Sequence, residues 1–470
     1  MSGYGLLAKN IGILTVANFG TKFLSFLLVP LYTSVLSTGD YGSYDLVLNT
    51  VGLLIPLLTQ NILDGVLRFS IDEDCDRESV IGIGLKYFFI ATGIVAVALA
   101  VNYVLGISRL IADLSVLVLL VFATQALSQI LLYYARGVNR FADVAVSSVL
   151  CSAVVIAANI VFLIPLHLGL TGYFLANVIG PVLQIAYLAV RLKLHGAKVI
   201  NADKKLERDM LAYSRPLVTN SVAWWVNNVS DRFVVTFFCG VAANGVYSVA
   251  SKIPSILSIF QTIIGQAWTV SAVGEFDPED KKGFFSDVYA VYNSLMVLLC
   301  SAIIVLDIPL AHFLYANDFF EAWRYVPFLT IAIVFGALAG YVGGILAAVK
   351  DSKEFARSTV VGALTNVLLN VLTVPFIGPL GSAIATAVCY WVTWVLRMRV
   401  CSKYIHLRLQ RARNNVSYIV LVAQGLLLLV LFGNPVACYS IEMACFLLLL
   451  LMYRKDLMRI TSRVKTKIRG

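Results

Sequence analysis

Five basic residues lie within or just inside long apolar runs of this chain: Lys9, Lys22, Lys86, Arg232 and Lys252. A cation in such a place does one kind of chemistry well, which is to hold an anion. At the centre of a bilayer it costs about 2.5–3.5 kcal/mol on insertion scales, so one that persists faces a protein interior or a watery cavity. Lys9 and Lys86 sit within two turns of the expected cytoplasmic ends of their runs, and snorkelling to the headgroups accounts for them. Lys22 is deeper, about 21 Å along a helix from Ala8 at 1.5 Å per residue. Arg232 lies at similar depth in a later run, and Lys252 about two turns into the next. Two compatible readings follow. The three cations line a cavity, or they pair with buried carboxylates such as Asp231, Asp45 or Asp64. Asp231 adjoins Arg232, and consecutive helix residues do not face each other, so that pair does not neutralise itself simply. Asn18, Asn220, Asn227, Asn228, Trp224 and Trp225 add hydrogen-bonding groups and aromatic faces on the same two runs. The tryptophans serve equally well as lipid-facing packing. Arg68 and Arg215 stand at run ends, either as a receiving mouth for an anion or as plain anchors.

Other chemistries find little to stand on. The eight cysteines are scattered and form no CxxC, which reads as small buried hydrophobes. His167, His195, His312 and His406 are far apart, so no metal site, Cys/His nucleophile, catalytic residue or cofactor is expected. The acidic stretch from Asp72 to Glu78 lacks the spacing and glycine of a calcium loop and reads as a solvated linker. The basic tail from Arg454 to Gly470 has no aromatic interleaving, and nucleic acid is not an expected partner.

The elements that must carry these residues are written in the composition. Hydrophobic residues make up 60% of the 470 and charged ones 13%, with a mean hydropathy of +0.86, against about a quarter charged in an ordinary globular domain. Apolar runs fall near 8–36, 43–66, 80–105, 112–135, 144–166, 170–191, 212–239, 244–271, 287–309, 325–349, 358–376, 380–400, 415–433 and 436–453. Each meets the roughly 20 residues that a spanning helix needs. The expectation is an all-α integral membrane protein of about fourteen transmembrane helices. Leu6 to Leu36 is too long for a signal peptide and lacks a cleavage site, so it is expected to be a permanent span. Alternate breaks between runs, with the tail, hold 29 of the 36 Lys and Arg residues, whereas the others hold just Arg109 and Arg324. That alternation predicts cytoplasmic N and C termini. It also explains the net charge of +10 as basic loops facing anionic membrane lipids.

An internal repeat is visible. Asn10, Asn18, Lys22 and Phe23 recur as Asn220, Asn228, Arg232 and Phe233 at a constant offset of 210. Gly42-Ser43-Tyr44 matches Gly245-Val246-Tyr247, Phe141-Ala142 matches Phe355-Ala356, and Gly169-Leu170-Thr171-Gly172 matches Gly378-Pro379-Leu380-Gly381. The expected organisation is a six-helix bundle over 1–205, a second over 206–410, and two extra helices with a basic tail over 411–470. An even helix number per copy gives both copies one orientation, with the pseudo-symmetry axis along the membrane normal. Pro30, Pro56, Pro181 and Pro254 lie inside runs and are candidate hinges.

The stretch LAKNIGILTVANFGTKFLSFLLVPLYTSVLSTGDYGSYDLV, followed by LLTQNILDGVLRFS, resembles the bacterial polysaccharide biosynthesis membrane proteins. These are the Wzx-type flippases for O-antigen (lipopolysaccharide), capsule and exopolysaccharide repeat units, within the multidrug/oligosaccharidyl-lipid/polysaccharide exporter superfamily. The resemblance implies a non-enzymatic transporter of the bacterial inner membrane. Its implied substrate is an oligosaccharide linked to undecaprenyl pyrophosphate, and polymerase and chain-length proteins of the same pathway are implied partners. On that reading Lys22, Arg232, Lys252, Asn18, Asn228, Arg68 and Arg215 are candidate substrate-binding residues, and Asp231 is a candidate for ion coupling. The competing reading is a cation-coupled multidrug exporter of the same superfamily, which would favour an acidic cavity.

Overall fold

The computed structural model describes residues 26–72, 75–194, 203–274, 276–281 and 283–469. Lys9, Asn18 and Lys22 lie outside the described residues, as does most of the first expected span. Among the described residues all regular structure is helical. The chain separates into two compact units, Met1–Val229 and Ser230–Gly470.

The first unit opens with α1 (Val29–Val35), α2 (Thr38–Leu58), α3 (Ile62–Ile71) and α4 (Arg77–Leu105). After a short α5 (Arg109–Asp113) come α6 (Ser115–Gly137), α7 (Phe141–Leu163) and α8 (Gly169–Arg191), and then α9 (Lys204–Cys239), which contains the division between the units. The local chemistry that starts these helices is plain. Ser37 and Asp40 form a capping box at α2, satisfying two orphan N–H groups reciprocally. Asp76 caps α4 by accepting from the Glu78 N–H. Inside the apolar bundle, Gln184 of α8 accepts from Ser128 of α6 at 2.7 Å and donates to Ser147 of α7 at 3.4 Å. A buried amide must be satisfied, so this residue fixes the register of three helices.

The second unit continues with α10 (Val241–Ala250), α11 (Lys252–Gly274), α12 (Phe284–Val305), α13 (Asp307–Leu314), a 3-10 turn at Asn317–Arg324, α14 (Val326–Ala348), α15 (Ser352–Ile377), α16 (Pro379–Cys401), α17 (Arg411–Leu431) and α18 (Pro435–Arg469). Most of α14 is buried. Its small residues allow close approach: a Cβ at Gly344 would stand 2.7 Å from the Trp268 indole nitrogen, which donates to the Tyr341 carbonyl at 2.8 Å. Asn293 of α12 donates to the Tyr453 hydroxyl of α18 at 2.9 Å and accepts from Tyr418 of α17 at 2.7 Å, so one amide ties the last two helices to this unit.

Eleven helices among the described residues are long and apolar enough to span a membrane, and α10 with α11 makes a twelfth bent by 45°. Several expected runs are not continuous, among them the second, the fourth, the eighth and the ninth. The second breaks at 59–61, where Gln60 and Asn61 take left-handed φ values of 54° and 53°, three residues after Pro56 has removed a backbone donor. The eighth bends at Ser251, immediately before Lys252. Periodicity of hydrophobic residues does not register such breaks, because they alter backbone direction without altering composition.

Candidate functional site

The site is built where the C-terminal part of α9 meets α10. Arg232 lies seven residues before the end of α9 at Cys239, about 10 Å along the helix. Its Nη1 donates to the Ser248 hydroxyl on α10. One residue earlier, Asp231 accepts from the Tyr247 hydroxyl at 2.8 Å and from the Arg232 backbone N–H at 2.9 Å. Consecutive residues on α9 are thus held by consecutive residues on α10. The positions match because Gly240, at φ 89°, turns the chain back between the two helices, a conformation that favours glycine. The Tyr247 hydroxyl also faces Thr386 of α16. Thr386 accepts from Asn366 of α15 at 3.3 Å, and Asn366 in turn accepts from Asn370 at 3.0 Å. Side chains of four helices thus form one polar cluster beside a carboxylate. It offers a guanidinium fork for an oxyanion, together with a carboxylate and several neutral oxygens.

The other sequence candidates are placed as follows. Asn228 donates back to the Trp224 carbonyl at 2.7 Å, one turn earlier. Lys252 is half-buried in the first turn of α11, at the bend. Trp224 is 66% exposed, whereas Trp225 donates to the Asn49 carbonyl at 2.8 Å. In the first unit Arg215 donates to Gln60 at 2.8 Å, in the break of the second run. Arg68 pairs with Asp72 at 2.7 Å, four residues on. Asp64 accepts from Asn61 at 2.6 Å and Asp45 from Asn49 at 3.0 Å. Lys86 does more than snorkel: its ammonium meets both oxygens of Glu207, at 2.8 and 2.9 Å. Arg232 and Asp231 are brought together with partners. Arg68 and Arg215 lie elsewhere, in the first unit.

Sequence reasoning did not single out Thr386, Asn366 or Asn370 as partners, and it used Tyr247 solely as a repeat marker. The available signal was a cluster of polar residues in apolar runs of α15 and α16, one helical turn apart. It also missed Tyr32, Tyr41, Tyr44 and Tyr173 of the first unit, which gather with centroids 4.1 to 6.0 Å from the Tyr173 ring. Arg397, one of the 29 basic residues that the alternation of breaks counts as facing the cytoplasm, is buried. It donates to the Ala339 carbonyl, Ser358 and Thr359 at 2.8–3.0 Å, and lies 4.0 Å from the Phe355 ring centroid.

The helices in this order make an all-helical, multi-pass membrane fold. The fold is similar to the lipid II flippase MurJ in its inward closed conformation, with a TM-score of 0.68 and 13% identity, covering 94% of this chain and 99% of that one. It is also similar to an inward-facing multidrug resistance MATE transporter, with a TM-score of 0.66 and 13% identity over 82% of this chain and 95% of that one. The chain belongs to the polysaccharide biosynthesis protein family, whose model matches residues 7–269, more than half of its length. A relative is the probable low-salt glycan biosynthesis flippase Agl15 of Haloferax volcanii, 22% identical over 212 residues. That match spans 44% of each chain, less than half the length of the relative.

Proposed function

We propose that this protein is a flippase for lipid-linked oligosaccharides. It carries repeat units on undecaprenyl pyrophosphate from the cytoplasmic to the outer leaflet of a bacterial inner membrane, by alternating access through a cation-lined cavity. No covalent bond is made or broken. Both termini are cytoplasmic, the orientation that the Lys/Arg alternation favours.

The observation that carries this reading is Arg232, a guanidinium on α9 within the seventh expected run and oriented by the Ser248 hydroxyl, in a chain of the polysaccharide biosynthesis family. A pyrophosphate that crosses hydrocarbon needs its charge neutralised on the way, and a guanidinium does this with two parallel hydrogen bonds. Lys22, the repeat mate of Arg232, supplies the second cation, and Lys252 a third. Asn18 and Asn228 meet sugar hydroxyls, while Arg68 and Arg215 receive the headgroup at the cytoplasmic mouth. Asp231, beside the headgroup cation, is the ion-coupling group. Polymerase and chain-length proteins of an O-antigen, capsule or exopolysaccharide pathway take up the product.

The test is surface glycan display, with analysis of the lipid-linked intermediate. A deletion strain should accumulate an undecaprenyl-linked oligosaccharide on the cytoplasmic face, and Arg232→Ala or Lys22→Ala should do the same. Normal display from a stably inserted Lys22→Ala/Arg232→Ala double variant would overturn the reading.

A further inference from the structure

Away from the site described above, Asp307 and Glu442 of the second unit are buried, with no ion-pair partner among the described residues and with unbonded carboxyl oxygens. Asp307 opens α13 directly after α12 and is 0% exposed, and neither carboxyl oxygen has a hydrogen-bond partner among the described residues. Glu442 of α18 is 1% exposed. Its Oε2 accepts from the Gln424 amide of α17 at 2.9 Å, and its Oε1 has no partner among the described residues. The orientation of Gln424 is fixed from behind, because its oxygen accepts from Ser301 of α12 at 2.8 Å. The amide NH2 is therefore committed to Glu442. Asp307 lies within reach of the charge of Glu442, and the helices around the two acids are joined by Gln424 of α17, which bonds to both α12 and α18.

No cation pairs with either acid among the described residues. Tyr439 of α18 lies near Asp307, and Cys438 and Cys445 of α18 near Glu442. Gln424 and Ser301 are neutral. His312 of α13 has its Nδ1 2.9 Å from the Ile308 carbonyl. On the adjoining 3-10 turn, Arg324 is half-exposed and stands 3.8 Å from Glu321. Burying one unpaired carboxylate costs several kcal/mol, and a second beside it costs more. A carboxyl group so placed avoids the cost by taking a proton.

We propose that Asp307 and Glu442 form a proton-binding site. A hydronium ion delivers the proton to a carboxylate oxygen, leaving water and a neutral carboxylic acid; release returns the proton to water, and no electrons move. Glu442 stands seven residues into α18 from Pro435, about 10 Å by helical rise, and Asp307 stands at the end of α12. Both lie near the membrane face that carries the α12–α13 and α17–α18 turns, so the site exchanges with that face. The direction of exchange rests on the proposed topology, which makes that face external; the site itself does not rest on it. A site on α13 and α18 also gives the last helix, which lies outside the six-helix repeats, a role in sensing protons.

The experiment is infrared difference spectroscopy on the purified full chain in lipid nanodiscs, titrated from pH 5 to 9 in sodium chloride and in choline chloride. Wild type should show a carboxylic-acid carbonyl band that diminishes as pH rises, equally in both salts. The Asp307→Asn/Glu442→Gln double variant should lack that component. Single Asp307→Asn should remove part of it, and Asp307→Glu should restore it at a shifted midpoint. A band that does not titrate, a titrating band unchanged in the variants, or one abolished by sodium at constant pH would each overturn the proposal. The assay uses no glycan, so a chain that takes up these protons yet fails every display test would sink the flippase reading and leave this site standing.

Discussion

Asp231 and Asp307 are acids of the same unit, one inside α9 and the other at the start of α13, and their surroundings treat them oppositely. Asp231 accepts a tyrosine hydroxyl and a backbone N–H, with a guanidinium on the next residue. Asp307 accepts nothing among the described residues, and it lies within reach of the charge of another acid, Glu442. Donors and a nearby cation favour the ionised form, whereas burial and a like charge favour the neutral one. The difference teaches that the state of an acid inside a membrane protein is set by what faces it across helices. Donors across a helix junction hold the Asp231 carboxylate in place, whereas no donor among the described residues holds Asp307.

The largest effect expected is on the charged side of this contrast. Arg232→Ala should lower glycan display about ten- to hundredfold, because charge-assisted hydrogen bonds contribute about 1.5–3 kcal/mol and each 1.4 kcal/mol is a factor of ten. Arg232→Lys should retain part of the activity, keeping charge but losing the fork. Wild-type display from Arg232→Ala would remove the charged cluster from the transport path.

Tyr247→Phe is the next test and a milder one. It deletes the donor to Asp231 while leaving the ring, which is 2% exposed, in place. A loss of about 1–2 kcal/mol is expected from a carboxylate left short of one bond, read as a lower melting temperature of the purified protein. The corresponding Asp307→Asn should cost less or even stabilise, since it removes a group with no donors to lose. An equal loss in both variants would erase the distinction between the two acids.

How much of this was legible beforehand follows from the same physics. Apolar run length is a composition signal, so Ser115–Gly137 or Val326–Ala348 could be read directly and the helix order followed. The deep position of Arg232 was legible because a cation in an apolar run needs a reason. Its partners were not, since Ser248 is 16 residues away and Thr386 stands on a helix much later in the chain. Arg397 shows the opposite failure. Its place near a run end, beside Arg399, counted it among the cytoplasmic basic residues, but the pocket formed by Ala339, Ser358 and Thr359 is non-local. Asp307 fell at the edge of an expected run, where a carboxylate looks solvated. Neither Gln60 nor Ser251 carries a turn signature strong enough to announce a break.

The smallest effect concerns a third acid, Asp351, which lies outside the spanning segments as the N-cap of α15. The Glu354 backbone N–H first, and the Tyr404 hydroxyl second, hold its carboxyl below the usual carboxylate range. A lowered value means that its stabilisation is present above the unfolded-state value and is lost as pH falls through the folded one. Asp307, without donors, works with the reverse sign, since protonation relieves it and rising pH costs stability. Melting temperatures measured from pH 3 to 9 should therefore respond differently to two isosteric changes. Asp351→Asn keeps a competent cap and should flatten a shallow slope at the acid end. Asp307→Asn should flatten a steeper slope at the alkaline end. The Asp351 change should be the slighter, because an exposed carboxyl competes with water for every donor it holds. A single slope altered alike by both substitutions would mean that the two acids sense one common electrostatic field and not their own neighbours.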